Sequence, residues 1–248
     1  MNYPIFFAIL SLILISRLRF TLRDGPVTKP GDLVRLTLPP LIILPFLSTS
    51  IAWGMLAAYL LIRPFIIKRL EGTPDNLNRN RMIALVVDFL FVGVVCSPFL
   101  TMQAAGWSSE FGRYLTEIFS PSAESTRIEW LSTFAILFGF LMILNELNLL
   151  IRYILEKLQL APLSNQHQNQ IDENQFRTGR VIGFLERIFV FVFILLGQYT
   201  AVGFVLAAKG VVRYPEFGNR SFAEYILIGT LLSTLTAMGM TFVVKLFI

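Results

Sequence analysis

The residues of this chain whose type and setting could do chemistry are acidic side chains inside apolar sequence. Asp88 interrupts the otherwise uncharged stretch from Met82 to Ser109, and Glu146 interrupts the one from Trp130 to Ile151. An ionisable group at bilayer depth is rare enough to mark a functional candidate. Two carboxylates sharing a poorly hydrated pocket favour protonation of one of them, which is the chemistry of a proton or cation site. Asp88 lies seven residues after Arg81, Glu146 six before Arg152, and Glu186 beside Arg187, so one orientation places all three at similar height. Asn145, Asn148 and Arg152 recur at i, i+3, i+7 and extend a polar face around Glu146. Arg152 is the basic partner expected for the two carboxylates, and if it reaches them the same geometry is a structural ion pair. Gln198, inside an uncharged run, is the fourth candidate for lining a polar path. Glu186, at the edge of its run, reads more simply as a side chain that snorkels or pairs locally.

Other chemistries lack their residues. The single histidine, His167, removes a histidine-cluster metal site, and the single cysteine, Cys96, removes an intramolecular disulfide or a CxxC pair. No Walker loop, GxGxxG turn or HExxH helix is present. The reading therefore includes no catalytic residue, no metal and no cofactor.

The elements that must position these groups follow from composition. Of 248 residues 55% are hydrophobic and 15% charged, against about 25% charged in ordinary soluble domains. Uncharged runs long enough for a spanning helix occupy about half of the chain. They comprise Met1–Ser16, which is marginal, then Leu36–Ile62, Met82–Ser109, Trp130–Ile151, Ile188–Ala208 and Tyr225–Val244. The fold class is all-α, a polytopic helical membrane protein of five to six transmembrane helices. Its second segment is interrupted by Pro39, Pro40 and Pro45, and Ser48-Thr49-Ser50 offers a helix start in the middle of that run.

Basic residues decide between a full crossing and a hairpin there. If Leu36–Ile62 returns to the side it came from, 16 of the 21 Lys and Arg lie on one side and 5 on the other; a full crossing gives 11 and 10. The first split is an orientation signal. The same distribution over short loops makes nucleic acid an unsuitable partner. The N-terminus is then outside and the C-terminus cytoplasmic, with Ser108, Glu124 and Asn219 outside and Asp24, Asp75 and Gln168 inside. The loop holding Lys209, Arg213 and Arg220 is unusually basic for an outside loop. The apolar N-terminal stretch has no basic start and no cleavage pattern, so it reads as an anchor.

Trp107 and Trp130 flank the loop after the third run, where interfacial indoles are expected. Within it Phe111, Tyr114, Leu115, Ile118 and Phe119 recur at helical spacing, predicting a short amphipathic helix that lies on the membrane surface or caps the bundle. The stretch 161–177 is rich in Asn and Gln and reads as a polar cytoplasmic linker. It separates an N-terminal membrane bundle, 1–160, from a C-terminal transmembrane helical pair, 178–248.

On a continuous helix through Ile188–Ala208, residues eleven apart share an azimuth, so Glu186, Gly197 and Ala208 form one stripe and Arg187, Gln198 and Lys209 the next. Gly203 and Ala207, and Gly229 and Ser233 on the last helix, form small-xxx-small steps suited to close helix packing, against each other or against another copy. The segments Gly179-Arg180-Val181-Ile182-Gly183-Phe184-Leu185-Glu186-Arg187, Leu196-Gly197-Gln198-Tyr199-Thr200-Ala201-Val202-Gly203-Phe204 and Ala223-Glu224-Tyr225-Ile226-Leu227-Ile228-Gly229-Thr230-Leu231-Leu232-Ser233, with Lys209, Arg213 and Glu216, carry a resemblance over about a quarter of the chain. They resemble the C-terminal membrane segment of an uncharacterised family of prokaryotic integral membrane proteins. The resemblance implies a bacterial inner membrane or a cyanobacterial membrane and carries no established activity.

Two function classes follow. One is a non-enzymatic membrane module, an assembly subunit or effector that uses helix packing and basic cytoplasmic loops, with the lipid bilayer and a membrane-protein partner or a second copy of itself as partners. The alternative is a small transporter or channel with a polar path through Asp88, Glu146 and Gln198.

Overall fold

A proline at the first turn and an uninterrupted apolar run start the chain as helix α1, Tyr3–Arg17. The computed structural model describes residues 2–18, 30–71, 77–100, 102–119, 130–158, 173–212 and 220–248. Helix α2, Pro30–Leu41, carries Pro39 and Pro40 in its last turn and gives way to a short 3-10 turn, Leu44–Phe46. Helix α3, Ile51–Leu70, then begins where Ser50 accepts a hydrogen bond from the Trp53 backbone N–H at 3.2 Å, and it ends with Lys68 and Arg69 beside its C-terminal carbonyls. Leu36 packs with Ile67 and Ala84, while the Trp53 indole donates to the Leu44 carbonyl at 2.9 Å. These contacts lay α2 and α3 antiparallel, with their turn at 42–50. The residues of Leu36–Ile62 thus belong to two helices joined by that turn, and Pro39 and Pro40 lie inside α2 rather than interrupting it.

Helix α4, Leu77–Val95, covers only half of the run Met82–Ser109. Pro98 follows closely and cannot continue a helix, and helix α5, Gly106–Phe119, starts afresh. The expected amphipathic helix lies within α5. The chain between them pairs with the α2–α3 turn, where the Ser48 N–H donates to Gln103 and the Ala105 N–H to Phe46, both at 2.9 Å. Leu47 and Ala104 form an isolated antiparallel bridge, and otherwise the described residues are helices and turns. Phe46 meets Trp107 at 4.8 Å between ring centroids, so this end of the unit is aromatic.

Residues 130–157 form one helical run made of α6, Trp130–Leu141, a π turn, Met142–Glu146, and α7, Leu147–Lys157. Two compact units meet the chain inside it: the first is residues 1–141 with 247–248, the second 142–246. The division lies N-terminal to the polar stretch 161–177, whose residues up to 172 fall outside those described and whose remainder opens α8, Glu173–Leu195.

The second unit departs from the expected single helix over Ile188–Ala208. That run breaks at Leu196–Gln198 into α8 and α9, Tyr199–Val212, because Gly197 adopts φ +74°, a left-handed conformation that only glycine takes at little cost. Val190 and Ile194 of α8, Val202 of α9 and Ala237 of α10, Arg220–Lys245, form its core. Lys245 donates to the Ile194 carbonyl at 3.1 Å and lies 5.9 Å from the Tyr199 ring centroid. The C-terminal ends of α8 and α10 therefore meet at the Gly197 turn, and α9 runs back between its neighbours' opposite ends.

Exposure is inverted relative to a soluble protein. Ile51, Phe65 and Leu90 are 81%, 64% and 65% exposed, while Arg17, Arg63, Arg81, Asp88 and Glu146 are buried. Helix α3, the run Trp130–Lys157 and Ile226–Lys245 within α10 are long and apolar enough to cross a membrane; α1 and α9 are apolar but shorter. The fold is all-α, with three helices of full spanning length among the described residues where the sequence led to five or six.

Candidate functional site

Asp88 projects from α4 into the first unit at 1% exposure, with Arg63 of α3 opposite. The guanidinium grips the carboxylate side-on, Nε to Oδ1 at 2.7 Å and Nη2 to Oδ2 at 3.1 Å. This planar fork matches carboxylate geometry in a way a lysine cannot reproduce. Tyr59, one helical turn before Arg63, donates its hydroxyl to the same Oδ1 at 2.8 Å and stacks on Phe91 at 3.9 Å. Arg17 at the end of α1 brings Nη1 to 3.9 Å from Oδ2.

The third nitrogen of Arg63 extends the arrangement to α1 and α2. Nη1 donates to Ser16 Oγ at 3.1 Å and to the Leu36 carbonyl at 3.2 Å, so α1, α2, α3 and α4 all contribute. The Ser16 hydroxyl in turn donates to the Ile13 carbonyl at 2.6 Å. Arg17 Nη2 donates to the Arg81 carbonyl at 2.9 Å, and Arg81 Nε to Glu71 Oε1 at 2.9 Å. Asn80 closes the α3–α4 corner by donating to the Leu70 carbonyl at 2.7 Å. The buried charged side chains described in this unit are Arg17, Arg63 and Arg81 against Asp32, Glu71 and Asp88, three of each sign. A low-dielectric interior demands that balance, because one uncompensated ion there costs several kcal/mol.

The other expected site residues lie in the second unit. Glu146 is 1% exposed in the π turn and accepts a hydrogen bond from Asn145 Nδ2 at 2.7 Å. Single π turns inside helices are rare and often carry functional groups. Arg152 is half-buried on α7. Gln198 is exposed beside the Gly197 turn, where its backbone N–H donates to Phe193 at 2.7 Å. The helix break separates the expected stripes and brings Glu186 to Lys209 instead, as an ion pair between α8 and α9. Gly203 and Ala207 are exposed, and a Cβ added at Gly203 or Gly229 meets nothing within 4 Å. Among the described residues neither glycine makes a close helix approach, and Ser233 is half-buried on α10. His167 lies outside the described residues.

Protein-family models, curated proteins and solved structures were compared, and none matches this chain.

Arg63, Tyr59, Arg17 and Ser16 are the site residues that sequence reading passed over. Arg63 had a signal: it is followed by Pro64 and by Phe65-Ile66-Ile67, so apolar sequence continues on both sides of the charge. A charge so placed marks an interior position as clearly as Asp88 does.

Proposed function

We propose that the chain is a non-enzymatic integral membrane module, an assembly subunit or effector that acts through helix contacts and basic loops at one membrane face. The observation that carries this reading is the saturation of Asp88: Arg63 and Tyr59 occupy its oxygens, and Arg17 stands behind them. A carboxylate held this way is a tie between four helices. A transport site would need that carboxylate to exchange partners. The membrane favoured by the resemblance is a bacterial inner membrane or a cyanobacterial one, and the partner is a membrane protein or a second copy meeting the exposed Gly203–Ala207 face.

Orientation follows from helix direction and charge. The α2–α3 hairpin is consistent with both flanking basic loops on one side, as the 16-to-5 split requires. The break at Gly197 adds one reversal, which favours the loop with Lys209, Arg213 and Arg220 on that same side and Lys245 on the other. The split becomes 18 to 3, a stronger signal than either earlier arrangement. Both termini are then outside, and the cytoplasmic C-terminus inferred from sequence is replaced by this reading. It also removes the oddity of a basic outside loop.

Two measurements test the proposal. Purification in mild detergent yields a stable hetero- or homo-oligomer, whereas pH-dependent ion flux in liposomes that vanishes in Asp88→Asn or Glu146→Gln supports the transporter. With Cys96 replaced, an impermeant thiol reagent added outside whole cells labels Ile248→Cys and spares Asn219→Cys and Gln168→Cys; labelling of Asn219→Cys from outside overturns the orientation.

A further inference from the structure

Arg187 lies on the same face of α8 as Val190 and Ile194, at i, i+3 and i+7, and so points into the core of the second unit, where it is 5% exposed. It stands ten residues before Gly197, about 15 Å along the helix axis from that turn. The other buried arginines of the described residues each have an acceptor: Arg63 and Arg81 hold carboxylates, and Arg17 donates to a backbone carbonyl. The enclosed Nε–H of Arg187 donates to none.

Its neighbours do not make good that loss. The guanidinium lies 5.2 Å from the ring centroid of Phe184, a cation–π contact that leaves the N–H donors unfilled. Glu186 attracts it, but adjacent residues of a helix point about 100° apart, and the Glu186 carboxylate accepts from Lys209. Half-buried Arg152 of α7 acts the other way, its positive charge opposing that of Arg187. Two like charges therefore meet inside one unit. Helix α8 packs on the π turn and on α10, and α7 packs on α10 as well, so the helices carrying the two arginines are joined through shared neighbours.

An anion between two such cations turns their repulsion into two attractions. The Nε edge of a guanidinium presents parallel N–H groups that match two oxygens of a phosphate, and basic pockets between membrane helices are a recurrent seat for anionic head groups. On the opposite face of α8, Leu185, Phe189 and Val192 are apolar and exposed, as a lipid-facing surface requires. We propose that Arg187 and Arg152 form a site for a phosphate group, with the Arg187 Nε–H as the donor that the phosphate satisfies. The head of an anionic phospholipid and a soluble phosphate both carry that group. The site rests on the membrane reading of the chain and not on its assembly role.

The test uses the full chain in phosphatidylcholine nanodiscs with and without phosphatidylglycerol, and in detergent with and without inorganic phosphate. Phosphatidylglycerol is expected to raise the thermal midpoint of the wild type, and native mass spectrometry to show it retained after extraction. Arg187→Met lowers its retention at least about tenfold, Arg187→Lys by less, because a point charge replaces the fork, and Arg152→Gln several-fold. A buried cation lacking its anion destabilises a fold, so in phosphatidylcholine alone Arg187→Met is at least as stable as the wild type, and phosphatidylglycerol reverses the order. A purely structural arginine gives no reversal. Stabilisation by inorganic phosphate equal to that by phosphatidylglycerol identifies a soluble phosphate as the occupant, and stabilisation by the lipid alone identifies the head group. The same spectra record oligomeric state, so loss of assembly with lipid retained counts against the assembly role and leaves the site standing. Arg187→Met destabilised equally in both nanodiscs, or unfolded in both, shows that the chain supplies its own anion and overturns the proposal; so does equal retention of phosphatidylglycerol by the wild type and Arg152→Gln.

Discussion

Two of the ion pairs among the described residues solve one problem in different ways. Arg63 and Asp88 have side chains 2% and 1% exposed, and each needs several partners from several helices. Glu186 and Lys209 are 18% and 17% exposed, and among the described residues one ion-pair contact between adjacent helices joins them, with Arg187 acting on Glu186 through its charge. What differs is access to water. A charge that retains some hydration tolerates one partner, whereas a fully enclosed one must have its remaining hydrogen-bonding positions filled by protein. The first arrangement therefore fixes how four helices meet, and the second fixes only the closure of a hairpin.

The sharpest way to break this contrast is Arg63→Leu, which strands Asp88 in the interior. A loss of about 3–5 kcal/mol is expected, read as failure to accumulate folded protein or as a large fall in detergent thermal stability. Adding Asp88→Leu to that variant recovers part of the loss, and a double variant worse than Arg63→Leu alone refutes the coupling. Arg63→Lys keeps the charge but loses the side-on fork, and about 1–3 kcal/mol is expected from chemical denaturation. At the hairpin, Gly197→Ala forces a Cβ into the left-handed region and costs about 1–2 kcal/mol; Gly197→Asn, which tolerates that conformation better, costs measurably less. Lys209→Met marks the small end. The partly hydrated pair contributes about 0–1 kcal/mol, and a thermal shift as large as that of Arg63→Leu would erase the distinction drawn here.

The helices α3 and α10 and the run containing α6 and α7 are legible in the sequence because length and apolarity alone specify them. So is α5, whose aromatic residues repeat at helical spacing. Asp88 stood out because a carboxylate in apolar sequence is costly unless an interior partner offsets it. Its partner did not, since Arg63 is 25 positions away and nothing local says that α3 and α4 face each other at that height. The break in Ile188–Ala208 was hidden by a coincidence of spacing: Glu186 lies eleven residues before Gly197 and Lys209 twelve after it. On one helix Glu186 aligns with Gly197 and Ala208, while Lys209 falls on the neighbouring stripe with Arg187 and Gln198. About a turn at Gly197 the same spacing reflects Glu186 onto Lys209, and only the backbone conformation of a single glycine decides which applies.

That reflection bears on how the chain enters a membrane. A translocation channel meeting Ile188–Ala208 encounters an uncharged stretch long enough to leave sideways as one strand, bounded by Glu186 and Lys209, each charged group carrying a penalty of about 2.5–3.5 kcal/mol if buried at mid-bilayer alone. The turn at Gly197 sets the acid against the base, so that neither charge stands alone. One glycine thus decides whether this stretch is a single long segment or a closed pair.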